Sequence, residues 1–110
     1  MTYGEIGMPD LRPGEEAMWM HGELEILAGH VLMATDMLES MGHQTRVGNN
    51  TTINLEPDTR SEADRLWAVL SLDSTECSPL ADAPWGAYWG VCLDRFGIRW
   101  MFNVYDDPRV

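Results

Sequence analysis

Only one stretch of this chain carries a helical period. Thr59 stands three residues before Glu62, the arrangement in which a hydroxyl and a carboxylate satisfy the orphan backbone donors of a helix start. Ala63, Leu66, Trp67 and Leu70 then recur at helical spacing, while Arg60, Glu62, Asp64 and Arg65 fall on the other side. The spacing predicts a helix running to about Ser71. Elsewhere, apolar and polar residues alternate with the period of half-buried strands. One strong helix among strands is an α+β pattern.

Read from the N-terminus, a short strand is expected at Thr2–Glu5, then a loop over residues 7–16, where Pro and Gly cluster. Ala17–Leu27 alternates: Met18, Met20, Gly22, Leu24 and Ile26 share one face, and Trp19, His21, Glu23 and Glu25 share the other. Ala28–His30 is a tight connection to a returning strand, Val31–Thr35. Residues 36–50 read as a loop with one helical turn around Met37–Met41. Thr51–Glu56 alternates again and stops at Pro57. After the helix come a strand near Ser74–Ser78, a loop from Pro79 to Pro84, and strands Tyr88–Leu93 and Ile98–Val104 joined by the turn Asp94–Gly97.

Composition narrows the function classes. The 110 residues include 18 acidic and 7 basic side chains, a formal charge of −11, yet 45% of the residues are hydrophobic, which suits a folded chain better than an acidic tail. Every basic residue is Arg, so no lysine Schiff base or phosphate-loop lysine is available. The negative charge repels phosphate backbones and anionic headgroups, so neither nucleic acid nor membrane is expected as a partner. Cys77 and Cys92 lack any metal-finger spacing and are expected to be buried free thiols. No apolar run approaches the roughly 18 residues a membrane helix needs, and Met1–Asp10 lacks signal-peptide character, so the expected compartment is the cytoplasm.

Trp85 through Asn103 combines a Trp, an aromatic-Gly pair, an Asp-x-Phe-Gly turn and a Trp-Met strand at fixed spacing. That stretch resembles the C-terminal signature of the PhnB-like proteins. These belong to the glyoxalase, bleomycin-resistance and extradiol-dioxygenase group, the vicinal oxygen chelate superfamily, and some members carry the label 3-demethylubiquinone-9 3-methyltransferase. Tyr3–Glu5, Met20–Leu24, Val31–Asp36 and Gly48–Asn50 sit where the family has similar segments. The resemblance implies glyoxalase-like paired βαβββ modules in one domain, curled around a small-molecule cavity. Residues 48–110 correspond to a complete second module, and residues 1–47 to a first module lacking its opening strand and helix. Either the true start lies further upstream, or the chain is a short form whose open sheet face is covered by a second copy; a homodimer is the expected assembly.

The resemblance also places metal ligands of related enzymes near Met33, Thr52 and Met101, and a thioether is a poor ligand for hard divalent ions. No catalytic metal and no cofactor are therefore expected. No glycine-rich nucleotide fingerprint or nucleophile elbow appears, so the methyltransferase label finds no support in the residues. His21 with Glu23 two positions on forms the candidate catalytic pair, a base and its orienting carboxylate, set against a purely structural role. The candidate ligand-binding set is Trp19, His21, Met33, Thr52, Asn54, Arg99 and Met101, with Arg99 as the fixed positive charge for an anionic ligand. Trp85 and Trp89 could wall the mouth of such a cavity. Two functions remain open: a metal-free small-molecule-binding module, and a divalent-metal-dependent glyoxalase-type lyase or isomerase using His21 or Glu23.

Overall fold

The helix forms where its capping signal puts it. In the computed structural model, which describes residues 1–106, helix α1 spans Arg60–Leu70, and the Thr59 hydroxyl accepts from the Glu62 N–H at 3.1 Å. The last four residues of the expected 48–110 module lie outside the described region. The strands are β1 Gly22–Leu27, β2 His30–Ala34, β3 Thr52–Leu55, β4 Thr75–Asp82, β5 Ala87–Leu93 and β6 Arg99–Tyr105, so the architecture is α+β. The chain divides into two compact units, Met1–Arg46 and Val47–Val110.

In the first unit, β1 and β2 form an antiparallel hairpin pairing Glu23 with Met33 and Glu25 with Val31. Leu38 is fully buried and Tyr3 nearly so, and the Tyr3 hydroxyl donates to the Asp36 carbonyl at 2.8 Å. Two expectations need correction here. The strand at Thr2–Glu5 reduces to a single bridge between Thr2 and Trp19. Thr2 and Glu5 instead bond each other's backbone N–H through their side chains, a local turn that competes with a ladder. The strand expected from Ala17 starts only at Gly22, because Glu15–Ala17 wind into a 3₁₀ turn and the Trp19 N–H is taken by the Asp36 carboxylate at 2.7 Å. The helical turn expected near Met37–Met41 is present as a 3₁₀ turn, Glu39–Met41.

The second unit runs β3-α1-β4-β5-β6 and builds one sheet in the order β3-β6-β5-β4. β3 lies parallel to β6; the other pairs are antiparallel. β4 continues through Pro79, where a loop was expected. It is an edge strand, and a residue without an N–H is tolerated where one side has no partner to receive it. A Cβ on Gly90 would come within 3.0 Å of the Leu80 N and 3.1 Å of the Ser78 carbonyl oxygen, so the glycine permits β4 to lie this close.

Register sorts the sheet's two faces. Cys92 pairs with Trp100, Gly90 with Phe102 and Tyr88 with Val104. α1 covers this side, with Trp67 meeting Phe102 edge to face at 5.8 Å and the Tyr88 hydroxyl bonding Asp64. Phe102, Val104 and Cys92 are fully buried there. Cys77, expected to be buried, is exposed on the edge strand β4. Burial pushes the Cys92 thiol up to about 11. Only Cys77 should therefore react rapidly with a thiol reagent at neutral pH; a stopped-flow trace should show one fast thiol, and the second only on unfolding.

Candidate functional site

The face opposite α1 follows from the same register. Thr52, Arg99, Leu93 and Thr75 form one cross-strand row, and Asn54, Met101, Val91 and Ser78 the next. Asn103 and Trp89 begin a third row, which continues to Ala81. Thr52, Asn54, Arg99 and Met101, four of the residues singled out from sequence, are thus brought together as two adjacent pairs. The Asn103 side-chain amide donates to Asn54 Oδ1 at 2.8 Å, which fixes both amides. Arg99 is not the free cation the sequence suggested: its guanidinium donates to Glu76 Oε2 at 3.2 Å. The surface therefore mixes amides, one paired arginine and apolar side chains, a lining that suits a small organic molecule. At its end, Val47, Gly48, Asn49, Leu93 and Gly97 line a shallow pocket of about 270 Å³.

Val91, Leu93 and Glu76 share this surface with Trp89 and were missed as candidates. For Val91 and Leu93 the signal was available: they alternate with Cys92, and the Asp94–Gly97 turn sets their register against β6. Trp85 and Trp89 meet edge to face at 5.5 Å, with Trp85 exposed.

The Asp94 turn anchors the hairpin. Asp94 Oδ1 accepts from the N–H groups of Phe96 (2.8 Å) and Ile98 (2.9 Å), and Oδ2 accepts from Trp100 Nε1 at 2.7 Å. Burial opposes the charge, but the bonds from Trp100, Ile98, Phe96 and Gly97 outweigh it and hold the carboxyl below its usual value.

The remaining candidates belong to the first unit. His21 Nε2 and Glu23 Oε1 lie 2.8 Å apart, with both side chains about half exposed. Met33 pairs with Glu23 across the hairpin and is 70% exposed, and Trp19 is 54% exposed. None of these four positions lines the cleft this unit does contain, about 510 Å³ bounded by Arg12, Glu15, Met18, Glu39, His43 and neighbours. Glu15 is buried at its wall, and bonding by Ser40 and then by the Arg12 N–H lowers its pKa, so its charge is committed to joining two loops. Arg12 is engaged by Glu39 at 3.3 Å. Among the described residues, no group of three or more His, Cys, Asp or Glu side chains is placed to hold a metal ion. None of the described helices is long and apolar enough to cross a membrane.

No protein-family model matches the chain, and no curated protein matches it. Solved structures do. The protein PA1353 of Pseudomonas aeruginosa superposes with a TM-score of 0.75 at 28% identity, over 94% of this chain and 74% of that one. A PhnB protein of Bacillus cereus, which bears the provisional name 3-demethylubiquinone-9 3-methyltransferase, superposes with a TM-score of 0.66 at 22% identity, over 87% of this chain and 72% of that one. The chain has the fold of these two proteins, one of them a PhnB protein.

Proposed function

We propose that this chain is a PhnB-like member of the glyoxalase-type, vicinal oxygen chelate superfamily that binds a small molecule without a catalytic metal and works as a homodimer. The observation that carries this reading is the sheet face opposite α1, where Arg99, Asn54 and Asn103 stand among Met101, Val91 and Trp89. The likeness of fold to a PhnB protein supports it. So does the donor chemistry, because Met33, Thr52 and Met101 occupy the positions that the family resemblance gives to metal ligands. The exposed Leu24, Val31 and Met33 of the first unit support a second copy as a partner. A solution mass equal to one 12.4 kDa chain would overturn the dimer.

One observation favours the alternative, a divalent-metal-dependent lyase or isomerase: the His21–Glu23 contact is that of an oriented base. A thermal-shift series with Ni²⁺, Zn²⁺ and Mn²⁺ separates the two readings, since an ion bound at a hundred times its Kd stabilises the folded state by about 2.7 kcal/mol. The binding-module reading predicts no shift in the wild-type protein. A stoichiometric metal whose stabilisation disappears in His21→Ala would replace it with the lyase reading.

A further inference from the structure

Glu76 is in an unusual place. Strand alternation would turn it to the side of the sheet opposite its neighbour Thr75, away from Arg99. Instead its φ is +46°, in the left-handed region that glutamate seldom occupies, and the register of β4 against β5 breaks between Thr75 and Ser78. The irregularity returns the Glu76 carboxylate to the Arg99 side, where it accepts from the guanidinium. The Arg99 side chain is 19% exposed and that of Glu76 is 55% exposed. A mostly covered arginine fork is thus met by a carboxylate that reaches it from solvent, on a backbone in a disfavoured conformation.

From this we infer that Arg99 is the carboxylate-recognition group of the sheet face and that Glu76 is its exchangeable internal occupant. The ligand class is a small monocarboxylic acid with an apolar body. The carboxylate replaces that of Glu76 on the planar guanidinium, a fork suited to a two-oxygen acceptor. The body lies along Met101, Val91 and Leu93. A single negative charge is favoured because Arg99 is the only cation in these cross-strand rows and the chain as a whole carries −11. The exchange is easy on two counts. An ion pair with one exposed partner favours its closed form by no more than about fivefold, and releasing Glu76 lets its backbone leave the left-handed region. The inference rests on reading this face as the ligand face.

The test uses the full chain, ¹⁵N-labelled, with benzoate as probe and benzamide as its neutral counterpart. Benzoate is expected to shift the Arg99 side-chain Nε–H signal and the amides of Val91 and Met101, and benzamide is not. In Glu76→Gln, which removes the competing charge at an exposed position, benzoate should bind about fivefold more tightly. Equal benzoate affinity in the two proteins overturns the inference. So does benzamide matching benzoate, an outcome that leaves the face a ligand site and removes only the carboxylate assignment. Silence of these signals toward both probes removes the assignment and the ligand face together.

Discussion

Replacing Phe102 with alanine is expected to destabilise the chain by about 3–5 kcal/mol, whereas Met101→Ala, one residue away, should cost about 1 kcal/mol or less. The contrast comes from the two faces of one strand. Phe102 is fully buried and packs on Trp67 of α1; Met101 is partly exposed on the side opposite α1. Removing the ring leaves a void that α1 and the sheet can close only in part by moving together. The melting temperature of Phe102→Ala should fall by more than about 10 °C for a domain of this size. Chemical denaturation followed by far-ultraviolet circular dichroism measures both variants. Equal losses would mean that the faces have been assigned wrongly.

Asp94 carries the second large effect. Asp94→Ala removes three acceptor contacts at once and leaves the indole N–H of the buried Trp100 unpaired, for a loss of about 3 kcal/mol. Asp94→Asn should fall between, at about 1–2 kcal/mol, because the amide has one oxygen to offer where both carboxylate oxygens now accept. The pH dependence has a definite sign. The folded pKa of Asp94 lies below its usual 3.8, so its stabilisation is complete above that value and disappears as pH falls through the folded pKa. The stability gap between wild type and Asp94→Asn should be constant from pH 7 to about 5 and narrow toward pH 2. A gap that stays constant to the lowest pH would show that the Asp94 charge contributes nothing.

How much of this was legible beforehand depended on how local each determinant is. The Thr59 cap and the stripe from Ala63 to Leu70 act within one helix, and α1 ends one residue from the expected Ser71. The β5–β6 hairpin is equally local, since its turn fixes its register. From that register, and from β3 lying beside β6, came the grouping of Thr52, Asn54, Arg99 and Met101. What was not legible is set at a distance. Pro79 reads as a breaker unless its strand is known to be an edge. Thr2–Glu5 has strand composition, but its own side chains take the backbone donors. The left-handed Glu76 carries no signature in sequence, so the engagement of Arg99 could not be foreseen. Trp19 and His21 were chosen by alternation along a segment that becomes a strand only at Gly22, and Met33 through the family resemblance.

The central claim, that the sheet face of the second unit opposite α1 is where this protein holds a small molecule, is tested most directly by mapping amide chemical shifts on the full chain with a mixture of neutral and acidic aromatic fragments. The account predicts shifts clustered on Val91, Leu93, Met101 and Asn103, lost together when Met101 is replaced by a charged residue. Shifts clustered instead on Arg12, Glu39 and His43, around the cleft of the first unit, with the sheet silent, would contradict it.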